Sequence, residues 1–233
     1  MPVERGSGAH PARALRGCFV TATDTGVGKT ILAAALVGAL RARGEQVHAR
    51  KPVMTGLDDG PPLDHELLAM VSGERPASVS PARYGPAVSP HLAAALAGQQ
   101  LDVAALIADI RAAGSPVIVE GIGGLLVPLS DGWDVRRLAR ELDLGVVIAA
   151  RPGLGTISHT LLTLEAARSA QLDVRAVVLT PWPGDPSTVE RSNRATIERL
   201  GKVEVAALPA LSKLTASALA AAGAALPYDS WLS

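Results

Sequence analysis

Short apolar runs alternate along this chain with longer stretches of helical character. The apolar runs predict strands at 18–22, 47–51, 117–120, 145–150, 176–180 and 203–207. The stretches between them predict helices at 29–43, 64–71, 90–96, 102–113, 134–142, 156–170, 186–200 and 211–222. Strands that are apolar throughout and separated by helices are typical of a parallel sheet buried on both faces. The pattern therefore predicts a single-domain α/β fold of three layers, a parallel sheet with helices on both faces.

Two proline-rich loops interrupt this pattern, at 58–62 and 73–90. The second is much longer than a typical connection, so we expect it to form a lid or a wall of a substrate site. Ligands of such sheets collect at the carboxyl ends of the strands. The segments that follow the strands are therefore the places to look for chemistry.

Composition narrows the classes of function. The 233 residues suffice for one α/β domain, and a net charge of zero gives no indication of nucleic-acid or anionic-membrane binding. A single cysteine excludes an internal disulfide and suits a reducing cytoplasm, where we expect the protein to reside. No apolar run approaches the ~20 residues of a membrane span. Residues 1–17 lack the apolar segment of a signal peptide, and we predict a disordered extension there, followed by one domain over 18–233.

The first chemical signal lies at residues 21–30, T-A-T-D-T-G-V-G-K-T, between a predicted strand and a predicted helix. This is the layout of a phosphate-binding loop, in which backbone N–H groups and a helix N-terminus attract phosphate oxygens. Lys29 would reach the terminal phosphates and Thr30 would bind Mg²⁺. The usual spacing places a glycine where Thr23 stands, although Gly26 and Gly28 remain. The alternative is a glycine-containing helix start with a chance Lys-Thr.

Three further charged residues lie at the ends of predicted strands or at the start of a predicted helix. Glu120 closes an apolar strand and precedes three glycines within four residues, which is the Walker-B arrangement for a carboxylate near the Mg²⁺ of a nucleotide. Lys51 ends the second strand, where a cation can stabilise a transferring phosphoryl group, or can simply be solvated before a turn. Asp64 begins a helix and is either its N-cap or a ligand of Mg²⁺.

Residues 153–159, G-L-G-T-I-S-H, form another glycine-rich helix entry, which is either an anion site or an ordinary turn capped by Thr156 or Ser158.

In this order, these stretches resemble the dethiobiotin synthetases, over about residues 18–225. The resemblance rests on T-x-T-D-T-x-V-G-K-T, K-P-V-x-[ST]-G, Asp64, S-P-H, V-E-G-x-G-G followed by P-L-S-D, and L-G-x-[IL]-x-H-x-x-L-T. The family has a P-loop NTPase type of fold and works as a homodimer with active sites at the subunit interface. The resemblance implies ATP as co-substrate, Mg²⁺ as cofactor, and no nucleic-acid or membrane partner.

The resemblance also implies the site residues. Lys51 and Lys29 would be catalytic, and Thr30, Asp64 and Glu120 would bind Mg²⁺. Residues binding the nucleotide and its metal would be Gly26, Val27, Gly28, Lys29, Thr30, Ile31, Asp64, Glu120, Gly121, Gly123, Thr180, Pro181, Pro209, Ala210 and Leu211. Substrate contacts would come from Thr55 and Gly123, and from Gly153, Leu154, Gly155 and Ser158 of the partner subunit.

The implied reaction is the closure of the ureido ring of dethiobiotin from 7,8-diaminononanoate and CO₂ in biotin biosynthesis. A carbamate forms, ATP phosphorylates it to a carbamic–phosphoric anhydride, and the second amine displaces phosphate. Three positions depart from the family pattern: Ala22 replaces a loop glycine, while Ser158 and Thr180 stand where asparagine is common. Because that asparagine commonly reads adenine, the base preference stays open.

Three other readings compete with this one. A regulatory ATPase of the partitioning or septum-site type shares the loop, but its signature lysine is replaced here by Asp24. The synthetase half of a cobyrinate amidase-type ligase would be followed by a glutaminase domain, and none follows in this sequence. A nucleotide-binding module without catalysis would not need Lys51, Asp64 and Glu120 together.

Overall fold

The computed structural model describes residues 15–61 and 63–232. Its strands are β1 (Gly17–Ala22), β2 (His48–Arg50), β3 (Val53–Met54), β4 (Ala82–Arg83), β5 (Val117–Glu120), β6 (Pro128–Ser130), β7 (Trp133–Asp134), β8 (Gly145–Ala150), β9 (Val174–Trp182) and β10 (Glu204–Pro209). Its α-helices are α1 (Lys29–Ala42), α2 (Asp64–Ser72), α3 (Pro76–Val79), α4 (Pro90–Leu96), α5 (Val103–Ala112), α6 (Val135–Leu142), α7 (Thr156–Ser169), α8 (Thr188–Gly201) and α9 (Ala216–Ala224). Short 3₁₀ turns occupy Leu57–Asp59 and Tyr228–Ser230.

Six strands form one parallel sheet in the order β10-β9-β8-β1-β5-β2. Alternate side chains of each strand enter opposite layers, because successive residues of a strand point to opposite faces. Val20 and Ala22 pack with α1, α2 and α9, whereas Phe19 and Val119 pack with α4 to α8. Both faces of the sheet are therefore buried, which confirms the predicted three-layer α/β fold.

Helix α1 lies directly against α9. A Cβ on Gly223 would fall 2.0 Å from the carbonyl oxygen of Ala35, so the two backbones touch where no larger residue fits. The following turn extends this cover: Trp231 is fully buried in the same cluster, and Arg43 at the end of α1 pairs with Asp229 at 2.6 Å. The helix that begins at the predicted phosphate loop is thus covered by residues from the far end of the sequence.

The six predicted strands are those of the main sheet, but two short ribbons were not predicted. β3 pairs with β4, and β6 pairs with β7. The prediction of an irregular loop at 73–90 is wrong in part, because α3 and β4 lie inside it. Strands of two or three residues carry too little periodic signal to be recognised without their partners.

The predicted N-terminal extension over 1–17 lies outside the described residues up to 14, and there it stays a prediction. Its last residues are ordered. Gly17 opens β1, and the backbone N–H of Arg16 donates to Ser115 Oγ at 3.1 Å, while its guanidinium pairs with Glu45. The domain therefore begins before residue 18. None of the helices in the described part of the chain is long and apolar enough to cross a membrane.

Glu74 covers the exposed edge of the sheet at β2. Its carboxylate accepts the backbone N–H of Ala49 at 2.8 Å, which points away from β5, and it pairs with Arg50 and His48 at 2.9 and 3.1 Å. An unpaired N–H on an edge strand is a pairing hazard, and here a side chain occupies it. Burial raises the pKa of Glu74, but the Ala49 N–H, Arg50 and His48 outweigh burial and hold that pKa below its usual range.

We expect Glu74→Gln to lower the free energy of unfolding at neutral pH by roughly 1–2 kcal/mol, because charge-assisted hydrogen bonds are lost. A carboxyl with a depressed pKa stabilises the fold above its ordinary pKa and loses this effect as the pH falls through the depressed value. The difference between wild type and variant should therefore shrink in acid. Urea unfolding from neutral to acid pH measures it, with Glu198→Gln on the exposed side of α8 as the control. A pH-independent difference would contradict the assignment.

Candidate active site

The loop between β1 and α1 has the geometry of an anion cradle. Gly28 is the N-cap of α1 with φ 101°, and Gly26 has φ 69°, which are left-handed conformations that favour glycine. Thr23 lies just past β1 and extends its pairing with β8, because its N–H donates to Ala149 O at 3.0 Å, and it has no positive φ. A glycine is therefore not required at Thr23, which explains why the imperfect motif still builds the loop.

The four charged or polar residues singled out at strand and helix ends meet at one point. Lys51 Nζ donates to Asp64 Oδ2 at 2.7 Å and to Glu120 Oε1 at 2.8 Å. The hydroxyl of Thr30 donates to the same Glu120 oxygen at 2.8 Å. Lys51 and Glu120 are 5% and 1% exposed, so the reading of Lys51 as a solvated surface lysine is wrong. The reading of Asp64 as an N-cap is also wrong, because Leu63 holds the N-cap position.

Burial and neighbouring charges shift the pKa values of this cluster in different directions. At Glu120 burial outweighs the charge of Lys51 and raises the pKa of that carboxyl. Burial lowers the pKa of Lys51, but the charges of Glu120 and Asp64 outweigh burial and raise that pKa above its usual value. Burial likewise raises the pKa of Asp64, and Lys51 reverses the shift to below the usual range. Lys29 is the first residue of α1, and its ammonium donates to Asp24 O at 3.2 Å. Burial lowers the pKa of Lys29. Lys51 is thus a fixed cation, suited to neutralising negative charge and not to taking up a proton.

The oxygen atoms of the cluster fit Mg²⁺. Mg²⁺ prefers oxygen ligands and is commonly bound by one or two carboxylates together with substrate phosphates. Thr30 supplies a hydroxyl, Asp64 and Glu120 supply carboxylates, and Glu120 Oε2 is buried without a hydrogen-bond partner in the structure. Within residues 15–61 and 63–232, no three His, Cys, Asp or Glu side chains gather as a cage for another metal. Cys18 plays no part, since burial raises the pKa of its thiol to about 12.

A cavity of about 700 Å³ opens above this cluster. That volume lies in the range of small-molecule sites. The predicted site residues that line it are Gly26, Gly28, Lys29, Thr30, Ile31, Lys51, Thr55, Asp64, Glu120 and Gly123. Its opposite wall includes Val88, Ser89 and Pro90, at the end of the long loop that was expected to wall a substrate site.

The remaining predicted residues lie outside that cavity. Gly121 sits beneath it, where a Cβ would touch Val135 and Phe19. Thr180 is buried behind the loop, and a Cβ on Gly28 would approach its methyl group to 2.9 Å. The segments 180–182 and 209–211 lie side by side, since Ala210 N–H donates to Trp182 O. The others outside it are Val27, Pro181, Pro209, Leu211, Gly153, Leu154, Gly155 and Ser158.

The entry to α7 does not line this cavity. Gly155 is the N-cap with φ 88°, and no side chain caps the helix, so the alternative of a Thr156 or Ser158 cap is wrong. Leu154 is 97% exposed. The loop is nevertheless held in place, because the buried amide of Asn193 donates to Pro152 O and Gly153 O at 2.9 and 3.0 Å.

Sequence reasoning missed Arg151, which follows β8. Its Nη2 approaches Thr25 O and Gly26 O at 3.3 and 3.5 Å. The signal that could have found it is its position: it follows a strand end in a sheet whose carboxyl edge carries the ligand site. Which strand lies beside the loop depends on the strand order, and the sequence does not state that order.

The chain is similar to proteins of known family. A family model described as an AAA domain matches residues 16–218. A protein named ATP-dependent dethiobiotin synthetase BioD from Haloferax mediterranei is 40% identical over 83% of each chain. Proteins of the same name from Mycobacterium avium and Novosphingobium aromaticivorans are 43% and 44% identical, over 87% of this chain and 89% and 92% of theirs.

Two solved structures share the fold at low identity. The MinC:MinD cell division protein complex of Aquifex aeolicus has a TM-score of 0.52 at 15% identity, covering 88% of this chain and 86% of that one. FtsY from Mycoplasma mycoides has a TM-score of 0.52 at 12% identity, covering 92% and 70%. Such likeness shows the fold alone. The three relatives, 40–44% identical, span most of both sequences, and the chain belongs to the family of ATP-dependent dethiobiotin synthetases.

Proposed function

We propose that this chain closes the ureido ring of dethiobiotin from 7,8-diaminononanoate, CO₂ and ATP, with Mg²⁺ as cofactor, in the cytoplasm. One observation carries the proposal: the phosphate loop and the Lys51–Asp64–Glu120 cluster line a single cavity. A nucleotide and a second substrate can therefore meet at the buried cations. A module that only binds nucleotide has no need for a lysine held between two carboxylates.

The chain's own groups suit phosphoryl transfer to a carbamate. One amine adds to CO₂ and loses a proton to give the carbamate, whose oxygen takes the γ-phosphoryl group of ATP and releases ADP. The second amine then attacks the carbonyl carbon, loses a proton and expels phosphate. Negative charge develops on the phosphoryl oxygens and the carbamate, where Lys29, Lys51 and the loop N–H groups supply fixed positive potential. Positioning two amines and one phosphate in register supplies the rest.

Mg²⁺ would be held by Thr30, Asp64 and Glu120. When bound, it would neutralise phosphate charge during transfer. In the structure the Lys51 ammonium contacts both carboxylates, at 2.7 and 2.8 Å. Lys51 therefore holds the two ligand side chains together and presents its charge beside the same phosphates.

The diamine would lie between Lys51 and Thr55, against Gly123. We infer that its carboxylate tail reaches the N-terminus of α7 in the partner subunit of a homodimer, at residues 153–158. Support comes from exposure, because Leu154 and Leu162 are 97% and 61% exposed on this loop and helix. Contiguous exposed apolar patches mark interaction surfaces, and we propose that these two side chains belong to one. Light scattering that finds only monomers at assay concentration would contradict this part.

The base would lie between 180–181 and 209–211, which the structure holds side by side at the ends of β9 and β10. Thr180 has one hydroxyl where an asparagine amide would offer both a donor and an acceptor. We therefore expect weaker discrimination among nucleoside triphosphates. Turnover with ATP, GTP and CTP at equal concentrations measures it.

The decisive assay is phosphate release with ATP, Mg²⁺ and bicarbonate, with and without 7,8-diaminononanoate. We expect strong stimulation by the diamine together with formation of the cyclic urea. Hydrolysis indifferent to the diamine would contradict the proposal and favour a regulatory ATPase. The matched control replaces the diamine by a monoamine of the same length, which can form a carbamate but cannot close a ring.

A further inference from the structure

Strand register brings Arg151 to the phosphate loop. β1 and β8 run parallel with Cys18 opposite Gly145 and Ala22 opposite Ala149. The pairing continues past the end of β1, because Thr23 N–H donates to Ala149 O at 3.0 Å. Two residues beyond each partner stand Thr25 and Arg151. The side chain of Arg151 therefore meets the loop at Thr25 and Gly26.

The backbone of Arg151 is fixed on both sides. Before it, Ala149 O is bound by Thr23; after it, Pro152 O and Gly153 O accept the amide of Asn193, which is 7% exposed. A buried amide that satisfies two consecutive carbonyls holds the segment in one conformation. The backbone at Arg151 is therefore rigid. Its exposed side chain can hold the phosphate loop in position and is not a freely moving surface charge.

The guanidinium contacts the outer side of the loop. Nη2 lies 3.3 Å from Thr25 O and 3.5 Å from Gly26 O, and 3.6 Å from the place of a Cβ on Gly26. Charged donors on carbonyl oxygens strengthen the N–H dipoles of the same peptide units, because bonded peptides polarise one another. In a phosphate loop those N–H groups face the anion. Arg151 also adds a third cation to Lys29 and Lys51 at this edge of the sheet.

We propose that Arg151 is a positioning residue for the nucleotide phosphates: it braces the carbonyls of Thr25 and Gly26, so that the loop is held ready for the anion. The inference rests on the proposed use of a nucleoside triphosphate. It predicts an effect confined to phosphate binding, since Arg151 does not line the cavity where Thr55 and Lys51 would meet the diamine.

The test is binding of ADP, ATP and adenosine by titration calorimetry to the wild type, Arg151→Ala and Arg151→Lys. We expect Arg151→Ala to weaken ADP and ATP binding about tenfold and to leave adenosine binding unchanged. Arg151→Lys keeps the charge and a donor, so it should recover part of the affinity. In steady-state assays the KM for ATP should rise while the KM for the diamine stays constant. Arg199→Ala, on the exposed side of α8, removes the same charge elsewhere.

Each outcome separates the inference from the proposed function. A wild type that binds no nucleotide contradicts the proposed function. A wild type that binds ADP, with an unchanged affinity in Arg151→Ala, overturns the role of Arg151 alone. Equal losses for ADP and adenosine, or an equal loss in Arg199→Ala, also overturn it, because either result would mean a general effect on folding or charge. The melting temperature without nucleotide should not move, since the side chain is exposed.

Discussion

Replacing Lys51 by alanine should reduce ring closure by about 10²–10³-fold, the usual effect of removing one group that stabilises transition-state charge. Lys51 is the cation that contacts both carboxylates of the site, and its raised pKa keeps it charged. Nucleotide binding should persist, because the loop and Lys29 remain. The measurement pairs turnover of the diamine with ADP affinity. Wild-type turnover in this variant would contradict the catalytic role.

Lys51→Ala should also lower the free energy of unfolding, and a second substitution can separate this effect from the loss of activity. Without Lys51, the fully buried Glu120 loses its counter-ion, and breaking a buried ion pair costs about 3 kcal/mol. Adding Glu120→Gln removes the uncompensated charge, so the double variant should regain stability but not activity. Because Glu120 would itself bind Mg²⁺, turnover should stay low in the double variant, and a double variant as unstable as Lys51→Ala would contradict the role assigned to the unpaired carboxylate. Lys202→Ala, at the exposed end of α8, is the control for removal of a lysine.

Replacing Glu120 by glutamine should lower Mg²⁺-dependent turnover by at least about 10²-fold. Glu120 accepts bonds from Thr30 and Lys51 on Oε1, while Oε2 is buried without a hydrogen-bond partner among the described residues. An amide keeps the shape but gives up the negative charge that Mg²⁺ requires. Calorimetry should show that Mg²⁺ no longer strengthens ADP binding, while metal-free binding is retained.

A matched control for this variant lies two residues beyond Asp64. Glu66 belongs to the first turn of α2 and is exposed, so Glu66→Gln removes a carboxylate close to the site without touching the cluster. It should behave as wild type. If Mg²⁺ strengthened ADP binding equally in Glu120→Gln and wild type, Glu120 would not be a ligand. The calorimetric measurement does not depend on whether the ring closes.

The parts of the fold and the site that depend on local sequence patterns could be predicted from the sequence. Apolar runs predicted the six strands of the main sheet, and strand ends pointed to Lys51 and Glu120 because parallel strands place their carboxyl ends on one edge. The sequence did not decide whether Asp64 is an N-cap or a metal ligand, since a carboxylate at the start of a helix can serve either role. The structure decides against the cap, because Leu63 holds the N-cap position and Asp64 contacts Lys51 instead.

Contacts that depend on strand order were not predictable. Arg151 meets the phosphate loop because β8 lies beside β1, and Asn193 fixes its base from a helix far along the chain. The edge contact of Glu74 with Ala49 likewise requires β2 to be the outer strand. No periodicity within either segment records these neighbours, because they come from tertiary packing.

The tight seam between α1 and α9 bears on how the protein is made. Helix α1 emerges from the ribosome early, whereas Gly223 and Trp231, which cover it, are synthesised long afterwards. Until these residues are synthesised, the apolar face of α1 that packs against them stays exposed. A nascent chain therefore has an aggregation-prone surface next to its phosphate loop. Nucleotide capture should therefore be a late event in biogenesis. A ribosome-stalled chain ending before residue 216 would retain every residue of the Lys51–Asp64–Glu120 cluster and still be a client for chaperones.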